Sequence, residues 1–273
     1  MGDGDGWIRC ARGHRHWGRY GAAGLLLRDG AGRWVLQHRA DWTHEGGTWG
    51  IPGGARDSHE SAIATALREA HEEAAIEAAA VRPTGLLIDD HGGWSYTTVV
   101  ADVAGKVDPH AANSESTEIT WCSREQVQSL PLHSGFSTTW PRLRDCGPGV
   151  VLVVDIDDWM HHHHSAGRGD SACDQLVSLL RCLHTVGVET AELPSPTAIT
   201  DRSPLSRHFP QLMLVSRDAS TGHTITARAA EQAIPVLTAE TGPEQGDHVM
   251  QPGLQWLTEI HIRHTATPGT LQS

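Results

Sequence analysis

The chain has 273 residues, 33 acidic against 21 basic for a formal charge of −12, with 38% apolar residues, 29 Gly and 14 Pro. That charge argues against a protein that grips nucleic acid by neutralising many phosphates, and against a polybasic membrane-surface protein. The composition is globular, no apolar run nears the ~20 residues that span a bilayer, and the length suits one large domain or two ordinary ones.

The acidic N-terminus lacks the apolar stretch of a secretory signal. Cys10, Cys122, Cys146, Cys173 and Cys182 are odd in number with no Cys-x-x-Cys, so a reducing, cytoplasmic setting is expected. Cys10, His14 and His16 lie close together, but three such residues without a second cluster are more often incidental than a zinc site. Apolar runs at 24–27 and 34–38 flank Asp29-Gly30-Ala31-Gly32, a hairpin signal. A Gly-rich stretch, 46–54, precedes a predicted helix over 58–76. Asp57 and Glu60 are spaced as a capping box with Asp57 at the N-cap. At helical periodicity Ile63, Leu67, Ala70 and Ala74 form the core stripe, and Glu69, Glu72 and Glu73 fall together on roughly the opposite side.

Three carboxylates so close repel, at roughly 0.2–0.5 kcal/mol per pair. They read either as a solvated acidic face or as a cradle for a hard divalent cation. Strands follow at 85–88, 97–101 and 118–121, with a short helix at 123–129. The mixture predicts an α+β first half, a mixed β-sheet sandwiched by helices. Cys146-Gly147-Pro148-Gly149 punctuates the chain and places a boundary near 147, giving domains 1–146 and 150–264.

In the second half, 150–156 reads as a buried parallel strand, followed by a helix at 171–186, strands at 188–193 and 211–216, a helix at 224–233 and a strand at 234–237. The alternation predicts an α/β domain with a mainly parallel sheet, its function gathered at strand carboxyl ends where Asp155, Asp157, Asp158 and Asp218 stand. The run His161–His164 is placed on a loop beside those acids.

The wider spacing around the glutamates decides between their two readings. From Gly54 the order is Gly, five residues, Glu60, seven residues, Arg68-Glu69, Ala70, one residue, Glu72-Glu73, one residue, Ala75, Ile76. This closely resembles the Nudix box, G-x5-E-x7-R-E-U-x-E-E-x-G-U with U apolar. One position departs: Ala75 stands where the motif has the Gly that ends its helix, so a different or later helix end is expected. Trp49-Gly50-Ile51-Pro52-Gly53-Gly54 matches the family's approach to the box, and Pro131-Leu132-His133 with Trp140-Pro141 closes a region of about 14–145 that resembles MutT-like members.

The resemblance implies a Nudix fold and a hydrolase that splits the diphosphate linkage of a nucleoside di- or triphosphate derivative by water attack, with Mg²⁺ (Mn²⁺ as an alternative). It makes Glu72 and Glu73 metal ligands, with the Gly53 carbonyl as a further one. Glu69 is a ligand or the base that orients water. Arg68 orients the glutamates and Glu60 steadies the loop. A later loop supplies Glu115 in preference to Glu118. Arg39, Trp49 and Gly54 are expected on the substrate side, with Trp42 and Trp94 as further stacking candidates, and 8-oxo-dGTP is the expected kind of substrate. Two alternatives stand beside this one: a non-catalytic nucleotide sensor, and a bifunctional hydrolase and RNase. The latter draws on a looser resemblance of 150–260 to PIN/NYN nuclease domains, through Asp155 and the Ser216-Arg217-Asp218 segment. There Asp158 stands where Asn is common and Ser220 where a second Asp is common. Nucleic acid is not expected as a partner of the first half and stays open for the second.

Overall fold

Short apolar runs punctuated by glycine fold into a hairpin and a mixed sheet in the first part of the chain. The computed structural model describes residues 2–147, 149–165, 169–193, 203–239 and 249–266. Two units separate, Met1–Cys146 with Pro204–Ser206 and Gly147–Ser203 with Arg207–Ser273. Pro148, part of the expected boundary signal, lies outside the described residues.

In the first unit β1 (Trp7–Arg9) and β2 (Arg15–Trp17) form an antiparallel hairpin that sequence reasoning missed, because each strand has only three residues. The sheet comprises β3 (Ala22–Arg28), β4 (Trp34–Arg39), β5 (Trp49–Gly50), β6 (Gly53–Ala55), β7 (Val81–Asp90), β8 (Ser95–Val103) and β9 (Ser116–Cys122). Its order is β7-β8-β3-β4-β5, with β6 on β3 and β9 on β4. Only β3 and β8 run parallel; the other pairs are antiparallel.

Both faces of β3 are covered, which is why its apolar residues run on without alternation. Leu25 and Leu27 pack with Ala66, Ala70 and Ala74 of α1 (Ala62–Ala74), and Leu26 packs with Val127 of α2 (Arg124–Ser129) and Phe136 and Trp140 of α3 (Ser134–Leu143). The expected mixed sheet between helices is therefore observed in this unit.

Both ends of α1 differ from expectation. Its N-cap is Ser61, which accepts from Ala64 N at 3.2 Å, so the helix starts at Ala62 and not near Ser58. The Asp57–Glu60 pair instead closes a preceding turn, Asp57 N donating to Glu60 Oε2 at 3.2 Å. At the other end the helix stops at Ala74 despite the missing glycine. Ala75 itself takes the left-handed conformation (φ 54°, ψ 34°), and Ile76 N reaches back to Ala70 O at 3.2 Å. Burial of Ile76, 1% exposed, anchors this turn against a local strain of roughly 1 kcal/mol.

The second unit carries β10 (Val151–Asp155), α4 (Ile156–Ser165), α5 (Gly169–Thr185), β11 (Val188–Glu189), β12 (Arg207–His208), β13 (Gln211–Val215), α6 (Ala219–Glu231), β14 (Val236–Ala239), β15 (Val249–Met250) and α7 (Leu254–Ala266). The sheet β14-β13-β10-β15 is parallel throughout, and β11 pairs antiparallel with β12. Leu152, Val154, Leu176, Leu180, Leu212 and Leu214 form its core. The histidine run lies in α4, not on a loop: no Gly or Pro interrupts 156–165, Asp155 Oδ1 accepts from Asp158 N at 3.0 Å, and His163 packs 4.4 Å from Trp159. Helix α6 starts five residues before the expected 224 because Asp218 caps it, accepting from Ser220 N at 3.0 Å. Asp157 accepts from Ser216 Oγ at 2.9 Å and Arg217 N at 2.7 Å, so it ties the end of β10 to the segment after β13.

Candidate active site

The site is built where α1 passes β6. In the β3–β6 register Gly24 faces Gly53 and Ala23 faces Gly54. A Cβ on Gly53 would stand 2.5 Å from Gly24 Cα, and one on Gly54 would stand 2.5 Å from Glu69 Oε1, so these glycines let main chain and carboxylate close on each other.

Glu73 is only 2% exposed. Its Oε2 accepts from Gly53 N at 2.8 Å, and its carboxyl also meets the Gln37 side chain from β4, whose Nε2 donates to Ser116 Oγ at 2.8 Å. Burial, reinforced by the charges of Glu69 and Glu115, pushes Glu73 up to about 7. Burial also raises Glu69, whose side chain is 15% exposed, against the opposing pull of Arg68. Glu72 stays open at 53%. The expected placement of all three glutamates on the side opposite the core stripe is thus corrected for Glu69 and Glu73. Packing α1 against both the sheet core and β6 leaves it two covered sides, and Glu69 and Glu73 are on the second.

Arg68 ties the cluster together. Nε and Nη2 grip the two Glu60 oxygens at 2.7 and 2.9 Å, Nη1 donates to Glu69 Oε1 at 2.7 Å and Glu72 Oε2 at 3.3 Å, and Nη2 also reaches Ala55 O at 3.0 Å. This fork holds Glu60 down at about 2. Glu115, exposed before β9, reaches Glu69 and Glu73 through its charge, whereas Glu118 pairs across the sheet with His38.

Arg39 ends β4, donates Nε to His44 O at 3.0 Å, and its charge acts on Tyr96 and His133. Trp49 is half-buried with its ring 4.9 Å from His38. Trp42 is 67% exposed, and Trp94 stacks on His16 at 3.8 Å, away from the glutamates. The structure therefore brings together Gly53, Gly54, Arg68, Glu69, Glu72 and Glu73 and the charge of Glu115, with Arg39 and Trp49 on neighbouring strands.

Two residues escaped sequence reasoning. Gln37 is a fully buried polar group in an apolar strand, a break in pattern that was legible. Tyr96 was not: its hydroxyl comes within 3.1 Å of where a Gly53 Cβ would be, and burial beside Glu73 and Glu69 raises it so that it remains a neutral phenol.

The donor set of hard carboxylate oxygens, Glu73 buried, Glu69 half-buried and the two mutually repelling, fits a divalent cation such as Mg²⁺. Among the described residues the side-chain groups whose ligand atoms come within 4.8 Å of one another are others, including His44 with Glu45 and His133 beside Arg39. The glutamate oxygens are instead drawn onto Arg68 and Gly53. No described helix is long and apolar enough to cross a membrane.

The chain is similar to known proteins over its first part. The NUDIX domain family model matches residues 18–142. "Putative 8-oxo-dGTP diphosphatase 3" of Mycobacterium tuberculosis is 50% identical over 167 residues, 58% of this chain and 76% of that protein. A "Nucleoside triphosphate pyrophosphatase/Nudix hydrolase fusion protein" of Bifidobacterium longum is 47% identical over 147 residues, 51% of this chain and 30% of that protein. The crystal structure of the M. smegmatis Nudix hydrolase RenU shares 47% identity, covers 52% of this chain and 94% of its own, and superposes with a TM-score of 0.47. With the box residues gathered on α1 and a relative half identical over three quarters of its own length, the chain belongs to the Nudix hydrolase family.

Proposed function

We propose that residues 1–146 form a Mg²⁺-dependent hydrolase that splits the diphosphate linkage of a nucleoside triphosphate, with oxidised purine nucleotides such as 8-oxo-dGTP as the substrate class. The observation that carries this is the pair of half-buried Glu69 and buried Glu73 facing Gly53 and Gly54. It gathers negative charge in a desolvated place where Arg68 neutralises only part of it. The similarity to the Mycobacterium tuberculosis diphosphatase supports the choice of nucleotide.

Glu72 and Glu73, the Gly53 carbonyl, Glu69 and Glu115 would hold the cation. Bound Mg²⁺ would neutralise charge developing on the phosphate oxygens. The chain's own residues do the positioning. Arg68 fixes Glu69 by one oxygen, and Glu69 Oε2, outside that bond, orients the attacking water; its raised affinity for a proton supports this role. Arg39 takes a phosphate oxygen and Trp49 offers a ring face to the base. The five free cysteines support a reducing, cytoplasmic setting. Asp155 and Asp218 are engaged in their own helix starts and Asp157 is taken up by Ser216 and Arg217, which gives no support to an added RNase activity.

The test is a Mg²⁺-dependent hydrolysis screen over canonical and oxidised nucleoside triphosphates, dinucleoside polyphosphates, ADP-ribose and sugar nucleotides. We expect 8-oxo-dGTP to turn over with the highest kcat/KM and Glu72→Gln to lose at least about a hundredfold, close to 3 kcal/mol of barrier. A Glu72→Gln protein as fast as its parent would refute the site assignment.

A further inference from the structure

The β1–β2 hairpin and the turn between β7 and β8 bring together four ligating side chains that the hydrolytic chemistry does not use. The ligand atoms of Cys10, His14, His16 and His91 all lie within 4.8 Å of one another. Sequence adjacency gives the first three; the fourth comes from 75 residues beyond His16, supplied by the fold.

The main chain fixes both loops. Gly13 N donates to Cys10 O at 2.9 Å, Cys10 N to His14 O at 3.0 Å, and Ala11 N crosses to Gly92 O at 2.8 Å. Arg12 Nη2 adds a bond to Asp90 O at 2.5 Å. Gly13 and Gly92 have φ of 84° and 74°, which lets these turns be tight.

The side chains are aimed. Cys10 is 5% exposed. His16 and His91 stand at 4.7 Å between ring centroids and nearly perpendicular, and His14 lies 6.2 Å from each. His16 is stacked flat on Trp94, at 3.8 Å and 9°. Asp89 Oδ2 holds His91 Nε2 at 3.0 Å, turning Nδ1 inward. That Nδ1 and His16 Nε2 are buried with no hydrogen-bond partner. A buried polar atom left without a partner costs about 1–3 kcal/mol, so two of them beside a buried thiol need an explanation. A cation supplies one. The Asp89–His91 pair is the carboxylate–histidine arrangement that orients a metal-ligating imidazole.

We propose that Cys10, His14, His16 and His91 form a structural Zn²⁺ site that staples the β1–β2 hairpin to the β7–β8 turn. One thiolate and three imidazoles complete a closed tetrahedral shell for this ion. Zn–S near 2.3 Å and Zn–N near 2.0–2.1 Å imply ligand separations of about 3.3–3.6 Å, so with all ligand atoms within 4.8 Å of one another no gap has to close by more than about 1.5 Å, within reach of the exposed His14. The staple also bears on the hydrolytic box. The segment leading into β1 bonds to the turn before Glu60, Gly4 N donating to Asp57 Oδ1 at 2.8 Å and Ser58 N to Asp3 Oδ1 at 2.9 Å.

The experiment strips full-length protein with a chelator and titrates it with Zn²⁺ and with Co²⁺, following metal content, absorption and thermal unfolding. The expected result is one tight equivalent per chain, a Co²⁺ spectrum with a thiolate charge-transfer band and the strong visible bands of four-coordination, and a Tm rise of about 5–10 °C at Zn²⁺ a hundredfold above its Kd. Cys10→Ser removes the charge-transfer band, and Asp89→Asn weakens affinity by about 10–100-fold while leaving the spectrum. His161→Asn with His162→Asn keeps the tight equivalent. Tight metal that disappears in this last double variant, or Cys10→Ser and His91→Asn proteins that bind Zn²⁺ as tightly as the parent, would overturn the proposal. The wild-type Co²⁺ spectrum decides without any variant, since a weak octahedral spectrum without the thiolate band rules the site out.

Discussion

Glu73 should be a liability to the metal-free fold. Its carboxyl titrates near 4.5 in an unfolded chain and at about 7 in the fold, with burial as the leading cause. Between those values the native state holds a proton that the unfolded state has released, so stability falls as pH rises. The contribution is complete below pH 4.5 and gone once pH passes about 7, a loss of about 3 kcal/mol at 1.36 kcal/mol per pH unit. Glu73→Gln keeps the shape and an oxygen for Gly53 N, and the introduced amide can donate to Gln37 Oε1, which is buried with no partner. In chelator the variant should match the parent at pH 5 and exceed it at pH 8 by about 3 kcal/mol, or about 6–10 °C in Tm. Differential scanning calorimetry of the full chain measures this. Adding Mg²⁺ should stabilise the parent at pH 8 and leave the variant unmoved, and the variant should lose hydrolysis. A variant that is less stable than its parent at pH 8, or a stability gap that does not change with pH, would refute the reasoning.

Two other substitutions probe the same helix. Arg68→Ala removes the fork that holds Glu60 at about 2, a folded value below the unfolded one, so the stability it gives is present above pH 4.5 and lost as pH falls through 2. Because the guanidinium is 31% exposed, we expect a loss of about 2 kcal/mol at pH 7 in urea unfolding, a flattened acid limb, and falling activity as Glu69 and Glu72 lose their anchor. Ala75→Gly should stabilise by about 0.5–1 kcal/mol with activity unchanged, since glycine relieves the left-handed strain and costs part of that gain in unfolded-chain entropy.

The box residues and the two textures of the chain were legible because they are local: spacing along one helix, and apolar runs of strand length. Helix ends were less so. Asp57 and Glu60 satisfy the spacing of a cap, but Arg68 captures Glu60 from eight residues further on, and Ser61 takes over the cap. The loop expected at 161–164 is a helix because nothing there breaks one and Asp155 satisfies its first turn. The inward turn of Glu69 and Glu73 was hidden for a different reason. A helical wheel finds the face that meets the main core, while the second covered face depends on β6, a three-residue strand whose place is set by its pairing with β3. His91 joins Cys10, His14 and His16 only because β7 and β8 are antiparallel and their turn meets the hairpin.

The different positions of Glu60 and Glu73 on the pH scale follow from one cation. Arg68 has five N–H groups, and the structure spends them on Glu60, Glu69, Glu72 and the Ala55 carbonyl. Glu73 is left with neutral donors alone, Gly53 N and the Gln37 amide. The two carboxylates are thus driven apart, Glu60 fixed as an anion by Arg68 in the turn before the helix and Glu73, out of that arginine's reach, held near neutrality in the interior. A second arginine in place of Gln37 would settle Glu73 and leave no reason for a divalent ion to enter. The buried amide tolerates the carboxylate without neutralising it, and that unmatched charge is what would draw a cation to this helix, as the proposed function requires.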